Sequence, residues 1–463
     1  MRYFFYNMPG KVHGFKKYRK ELIGTLILVI SNFLQGQTAH DTLPSSVTLS
    51  QCITYALTHQ SLIKQSLIDE EINRRDIRIS LSGWYPQLEI DANLQHYLQI
   101  PMTNYPNVSD PSSPGLSLPS TSANVSAGIF SASQTLYRSD LYFAARNSGE
   151  LRNQASQNTR NSKINTYADV TKAFFDVLLT QEQFNVLNED ILRLQQNYKT
   201  AYHLYQNGLT DKIDYQRTEI SLGNAQAQRR SVQESLKAKY AVLKQLMGVA
   251  PEKQLTVSYD TSRYENEILY DTAKILDYNN RIEYQQLQTA LKLQNSGIGY
   301  YRWSFLPDLS AFYEYTARFR NDRFSDLYNK AIPTSLFGLR LTLPLFQGMN
   351  RLENLSKSKL QYQRLQLGMD YLKSVISSEY TLALARYTGN LNELRTAKRN
   401  ITLATDIYNT VRLQYEKGIK AYLEVIVSET DLRTAELNYL NILFQVLTSK
   451  VDLEKASGDI KIN

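Results

Sequence analysis

Two stretches of 69 residues without a proline, 139–207 and 349–417, constrain this chain more than any other feature. Gln, Leu, Asn, Lys, Ala and Glu dominate both stretches, and apolar residues recur three and four positions apart, which is the period of an amphipathic helix. At 1.5 Å per residue, such a helix is about 100 Å long. A compact domain does not accommodate that length, so the sequence predicts an elongated, coiled-coil-like helical bundle.

A glycine follows each long segment, Gly208 after the first and Gly418 after the second. Glycine commonly ends a helix because it tolerates the left-handed backbone conformation. The next 39 residues in each case, 209–247 and 419–457, again lack proline and predict return helices. Acidic residues near the first turn of the first return helix, Asp211 and Asp214, favour its dipole. Each chain is therefore expected to form two long helical hairpins.

The two hairpins are related by an internal duplication at an offset of 210 residues. The segment from Gly208 to Gly248 has the same length as the segment from Gly418 to Gly458. Equal spacing of this kind is harder to obtain by chance than scattered identities. Identical pairs at this offset include Tyr198/Tyr408, Tyr205/Tyr415, Gly208/Gly418, Glu219/Glu429, Leu222/Leu432, Leu243/Leu453 and Gly248/Gly458.

Residues 1–37 predict a signal peptide. A basic run at 16–20 precedes a mostly apolar stretch at 22–34, which is shorter than the roughly 20 residues that a spanning helix needs. Small residues at 36–39 suit cleavage. This segment holds six basic residues against one acidic residue, so only +3 of the net charge of +8 belongs to the rest of the chain. Nucleic-acid binders carry their basic charge in the folded body, which argues against that class.

Alternating polar and apolar residues predict β-strands at 87–99, 124–137, 308–320 and 335–346. In the third strand, one face would carry Leu309, Ala311, Tyr313, Tyr315, Ala317 and Phe319. Leu88–Leu94 and Val125–Ile129 alternate similarly. Such segments are typical of transmembrane β-barrels with apolar residues outward. Four strands cannot enclose a pore, since about eight are needed even for a filled barrel, so several chains must share one barrel. A soluble sandwich would leave the long helices unexplained.

The order of helix, strand, loop, strand, long helix, glycine tip and return helix, all twice over, resembles the TolC-like outer-membrane efflux channel family across roughly 48–458. The residues that carry the resemblance are an opening helix at 48–57, the helix-to-strand motifs at 84–88 and 305–309, and the strand exits at 134–137 and 343–348. One departure is Gln60-Ser61, where the family usually has Asn-Pro.

The resemblance implies a mainly α fold with β structure: duplicated helical hairpins form an α-barrel in the periplasm, and a four-strand contribution enters a trimeric 12-stranded β-barrel in the outer membrane. The expected units are a first repeat at 38–248, a linker at 249–271, a second repeat at 272–458 and a tail at 459–463. The implied partners are two further copies of the chain, outer-membrane lipid, a periplasmic adaptor and an inner-membrane transporter. The function implied is the exit duct of a tripartite efflux or type I secretion system.

The resemblance also assigns site residues. The tips that dock the adaptor would be Asn207, Gly208, Leu209, Lys417, Gly418 and Ile419. Counting from each glycine places the periplasmic gate at Tyr205, Asp214, Tyr415, Lys420 and Glu424. Lys420 resembles the family's cationic latch, and Asp214 is the expected acceptor for Tyr415. A second acidic ring of the family falls at Val427, so Glu424 forms a single ring or one that is apolar at its second level.

Motifs for catalysis or cofactor binding are not apparent. The five histidines are scattered, no phosphate-binding Gly-x4-Gly-Lys-Ser/Thr sequence occurs, and the single Cys52 excludes an internal disulfide and a thiolate metal cluster. We therefore expect no enzyme activity, cofactor or metal. The alternative is a periplasmic coiled-coil adaptor or another structural interaction protein, which would share the long hairpins but would carry compact β domains. The cargo (drug, metal or protein) stays open.

Overall fold

The computed structural model describes residue 44 and residues 46–106, 115–258 and 268–462. The expected signal peptide at 1–37 lies outside the described residues, as do parts of the linker and of the segment between the first two expected strands.

In chain order, the helices and strands are β1 (Ser46–Val47), α1 (Leu49–His59), α2 (Ser61–Leu81), β2 (Gln87–His96), β3 (Met102–Tyr105), β4 (Leu116–Pro119), β5 (Asn124–Tyr137), α3 (Ser139–Gln206), α4 (Lys212–Met247), β6 (Thr256–Val257), α5 (Ile282–Trp303), β7 (Asp308–Asn321), β8 (Ala331–Thr342), α6 (Asn350–Glu416) and α7 (Tyr422–Ser457). Short 3₁₀ helices lie at Ser82–Trp84, Tyr278–Asn280 and Phe324–Asn329.

Two helical hairpins dominate the molecule. In the first, α3 runs for 68 residues and α4 returns for 36; in the second, α6 runs for 67 and α7 returns for 36. Helices α3 and α7 pack against each other and join the two hairpins, while α5 packs against both α3 and α6. Both return helices begin three residues later than expected, because 209–211 and 419–421 form the turns.

The return helices end within the main hydrophobic core. That core joins residues of α1, α3, α4, α6 and α7, among them Phe174, Leu243, Tyr387 and Val446, with residues between the two repeats: Val249, Leu255, Val257 and Ile268. Gly248 and Gly458 close α4 and α7 in the left-handed conformation. A Cβ at Gly458 would lie 2.7 Å from the carbonyl oxygen of Asn280, so the close approach requires glycine.

One antiparallel sheet has the order β2-β5-β7-β8. Its register aligns a mostly apolar face across all four strands, as in the row formed by Leu88, Ala132, Tyr313 and Phe337. The opposite face carries polar residues in rows such as Asp91, Ile129, Thr316 and Thr334. The sheet therefore has one face suited to lipid.

Three strand expectations need correction. The last strand is Ala331–Thr342, not 335–346: Pro344 cannot donate a ladder hydrogen bond, and Ala331 still pairs with Phe319. In β5, Val125, Ala127 and Ile129 lie on the face opposite the apolar one, since Ile129 pairs with Thr316. The small Ser126 takes the apolar face there, where Tyr328 folds over it with the two hydroxyl oxygens 3.3 Å apart. The first strand also ends early, at His96.

Among the described residues, none of the helices combines the length and apolar character that crossing a membrane requires.

Candidate functional site

Both hairpin tips have the same backbone geometry. At the first, the N–H of Leu209 donates to the carbonyl of Leu204 and that of Gly208 to the carbonyl of Tyr205, both at 2.9 Å. The second repeats this pattern from Ile419 to Gln414 (2.9 Å) and from Gly418 to Tyr415 (2.8 Å). These paired bonds define a Schellman motif, in which the glycine takes a positive φ.

The glycine conformation fits the motif, with φ of +69° at Gly208 and +73° at Gly418. The apolar residue that follows such a glycine often packs back on its own helix. Here Leu209 is 70% and Ile419 is 71% exposed. Asn207 and Lys417, the C-cap residues, are exposed as well. The tips therefore present two largely exposed apolar side chains at fixed positions.

The return helices start differently. Asp211 caps α4, its carboxylate accepting a hydrogen bond from the N–H of Ile213 at 3.1 Å. Ala421 stands at the same position before α7 and offers no such group. Instead, Tyr422 begins α7 with its side chain 3% exposed, and its hydroxyl lies 2.9 Å from Thr218 Oγ1 on α4. This bond between the hairpins was not expected from the sequence.

An apolar cluster surrounds Tyr422 and joins the hairpins near the tips. Its members are Ala201, Tyr408, Tyr422, Val425 and Leu432, with Tyr215, Ala404, Val411, Tyr415 and Ile426 packed against them. The ring of Tyr415 lies 5.1 Å from that of Tyr422. An aromatic residue just after a tip glycine was the available sequence signal for this contact.

The structure brings some of the expected gate residues together. Asp214 and Tyr415 lie near each other: burial raises the pKa of the Tyr415 hydroxyl, and the charge of Asp214 raises it further. Burial also raises the pKa of the Asp214 carboxyl above its usual range, although Arg217 opposes this. The Tyr415 hydroxyl is buried and has no hydrogen-bond partner among the described residues. The hydrogen bond from Tyr415 to Asp214 is therefore absent within one chain and stays a prediction for the assembled duct.

The remaining gate candidates are separate from this pair. Tyr205 is 39% exposed and its ring lies 5.1 Å from that of Tyr215. Lys420 and Glu424 are exposed, and so is Val427, at the position of the family's second acidic ring.

A buried charged cluster farther along the α3–α7 contact was also not expected from the sequence. It contains Asp190, Arg193, Glu429, Arg433 and Glu436. Burial, followed by the nearby charge of Asp190, raises the pKa of Glu429 to about 7. The repeat identity of Glu219 and Glu429 was a signal for this position, but Glu219 is exposed.

Comparison with known proteins identifies the class. The family model described as "Outer membrane efflux protein" matches residues 53–249 and 278–459. The probable efflux pump outer membrane protein TtgC of Pseudomonas putida is 22% identical over 450 residues, covering 93% of this chain and 90% of the relative.

Solved structures share the fold. VceC, an outer membrane protein of Vibrio cholerae, superposes with a TM-score of 0.69 at 14% identity, covering 89% of this chain and 96% of VceC. The CmeC outer membrane channel of Campylobacter jejuni gives a TM-score of 0.70 at 16% identity, covering 89% of this chain and 85% of CmeC.

The chain belongs to the outer membrane efflux protein family. It is a TolC-like outer-membrane efflux channel, with helical hairpins that extend into the periplasm. The expected fold class is confirmed, apart from the number of chains, and the channel interpretation prevails over the periplasmic adaptor.

Proposed function

We propose that three copies of this chain form one passive exit duct, opened by a periplasmic adaptor and an inner-membrane transporter. The observation that carries the proposal is the four-strand sheet with one apolar face and two free edges. Among the described residues, no strand pairs with the outer edge of β2 or of β8. Every residue of β2 is exposed in the single chain.

Free strand edges of this length promote aggregation unless another chain pairs with them. In lipid, each unpaired backbone group costs several kcal/mol, so a closed barrel is required. Pairing β8 of one copy with β2 of the next extends the sheet without changing its alternation, because both outer edges belong to the same antiparallel sheet. Three copies supply 12 strands, which is enough to enclose a channel. The apolar face then meets outer-membrane lipid.

The tips are proposed to dock the adaptor. Leu209 and Ile419 are exposed at rigid Schellman turns, and fixed apolar side chains lose little conformational entropy when a partner covers them. The adjacent Asn207 and Lys417 supply polar contacts at the edge of the same surface. At this end the duct has only to bind the adaptor and open. The proposal involves no catalysis, cofactor or metal.

The gate is proposed to lie just inside the tips. Tyr205, Asp214, Tyr415, Lys420 and Glu424 would meet their counterparts across the threefold axis and close the duct at rest. The buried hydroxyl of Tyr415, which has no partner within the described residues, supports this. Leaving such a hydroxyl unpaired costs about 1–3 kcal/mol, and a contact with Asp214 of a neighbouring copy would give it a hydrogen-bond acceptor. Contacts of about 0.5–1.5 kcal/mol each can be broken by docking.

Single-channel conductance in planar bilayers tests the proposal. Tyr415→Phe combined with Lys420→Ser should raise conductance several-fold, and Glu424→Gln should reduce the preference for cations. Glu234→Gln is the matched control, because Glu234 is exposed on α4 and its carboxylate already pairs with Lys237 at 2.8 Å. Unchanged conductance and selectivity in both test variants would remove these residues from the gate. A protein that forms no channels would contradict the duct itself.

A further inference from the structure

The contact between α3 and α7 contains a buried cluster of charges about two helical turns from the start of α7. Asp190 is 0% and Glu429 is 2% exposed. Arg433 Nη1 lies 3.1 Å from Asp190 Oδ2, and Arg193 reaches Asp190 at 3.5 Å, Glu436 at 3.6 Å and Glu429 at 3.9 Å. Asp190 and Arg193 belong to the first hairpin and the other three to the second, so this cluster joins the hairpins.

The cluster contains three carboxyl groups and two guanidinium groups, so it has an excess of acid. The amide of Asn197 donates to Glu429 Oε2 at 3.0 Å, whereas Glu429 Oε1 is buried without a hydrogen-bond partner among the described residues. A buried carboxylate oxygen without a donor is costly. One proton on Glu429 removes the excess charge and lowers this cost, because a neutral carboxyl is cheaper to bury than a carboxylate.

The groups that face Glu429 come from three helices. Asp190 and Arg193 approach from α3, Tyr408 from α6, and Tyr422 and Arg433 from α7 itself. Glu436 joins the cluster through its contact with Arg193. The carboxylate of Asp190 opposes ionisation of Glu429, and the guanidiniums of Arg193 and Arg433 favour it. Burial outweighs the guanidiniums, which lie no nearer than 3.9 Å.

We propose that Glu429 is a proton-controlled contact between the two hairpins: a proton bound to its carboxyl holds α7 against α3, and loss of that proton loosens the hairpins near the tips. The inference rests on the proposed gate, because α7 carries Glu424 and Tyr422 just beyond the cluster. Acid would therefore favour the closed duct, and neutral pH would lower the barrier to opening.

The direction and the pH range follow from linkage. In the packed form Glu429 has a pKa of about 7 and keeps its proton up to about that pH, whereas a Glu429 released to solvent would titrate near 4.5. Below 4.5 both forms are protonated, so the packed contact is fully favoured. Between 4.5 and 7 only the loosened form loses its proton, and the packed form is progressively disfavoured. Above 7 the effect levels off, after a shift in the equilibrium of about two orders of magnitude.

The test compares wild-type protein with Glu429→Gln, which mimics the protonated carboxyl at every pH. Thermal unfolding of the full detergent-solubilised protein is measured from pH 5 to 8, and single-channel conductance is recorded over the same range. Glu219→Gln is the matched control, since Glu219 is the exposed repeat counterpart of Glu429. His203→Gln is a second control, because His203 is an exposed residue of α3 near the same tip.

The two proteins should have similar midpoints at pH 5, and the advantage of Glu429→Gln should grow up to pH 7 and then stay constant. Wild-type conductance should rise over the same interval, while Glu429→Gln stays at its acid value and both controls follow the wild type. A stability difference that does not change with pH would overturn the proposal, and so would a Glu429→Gln conductance that follows the wild-type profile. The gate is judged separately, by Tyr415→Phe with Lys420→Ser at one pH.

Discussion

Substituting the tip glycine Gly418 by valine should separate docking from folding. Its φ of +73° is left-handed, and an added Cβ would meet no atom within 4 Å. The cost is therefore backbone strain alone, about 1–2 kcal/mol, somewhat more for a β-branched residue. A loss of this size, at an exposed turn of a 463-residue chain, should lower the thermal midpoint by no more than a few degrees. The turn should nevertheless change shape, which displaces Ile419 from the docking surface.

The assay is efflux in cells that lack the native channel, together with the cognate adaptor and transporter. Gly418→Val should abolish efflux and adaptor binding while the amount of assembled channel stays normal, and Gly208→Val should behave in the same way. Gly389→Ala is the matched control: Gly389 lies within α6 with open space around it, so alanine should stabilise the helix by about 0.5–1 kcal/mol and leave efflux intact. Normal efflux and adaptor binding in both tip variants would show that the glycines only end helices.

Three further predictions concern the interior. Tyr422→Phe should lower the free energy of unfolding by about 0.5–1.5 kcal/mol, because Thr218 keeps its bond to the carbonyl of Asp214 at 2.9 Å; a loss above 3 kcal/mol in denaturant titration would contradict this. Arg433→Met should cost about 3 kcal/mol by leaving Asp190 with its longer contact to Arg193, and a loss below 1 kcal/mol in the same measurement would show that the pair is dispensable. Burial raises the pKa of the Cys52 thiol to about 12, so maleimide at pH 8 should label it only after unfolding; rapid labelling of the folded protein would refute the burial.

Local features of the chain could be predicted because they depend on residues close in sequence. The two proline-free segments determine α3 and α6, and Gly208 and Gly418 mark their ends, since a positive φ is a local demand. Strand β7 follows from its alternation. The position of β8 could not be read in the same way, because Ile332 and Pro333 join the strand only through pairing with β7.

The site was less predictable. The bond between Tyr422 and Thr218 joins residues 204 positions apart, and the Glu429 cluster depends on how α3 and α7 are aligned lengthwise. Helical periodicity identifies the face of each helix but not its register against a distant partner. For the same reason, the alternation of Val125, Ala127 and Ile129 gave the wrong face of β5: either face of a strand can carry small apolar residues, and only the cross-strand pairing decides.

The central claim, that three chains close one barrel through β2 and β8, is tested most directly by disulfide cross-linking in a Cys52→Ser background. Asn93→Cys on β2 is combined in turn with Ile332→Cys, Thr334→Cys or Leu336→Cys on β8, all on one face of the sheet. Within one chain these strands are three strand spacings apart, about 14 Å, too far for a disulfide. Oxidised outer membranes should give covalent dimers and trimers and nothing larger at one of these registers. Monomers at every register, or a ladder that continues beyond three chains, would contradict the trimeric barrel.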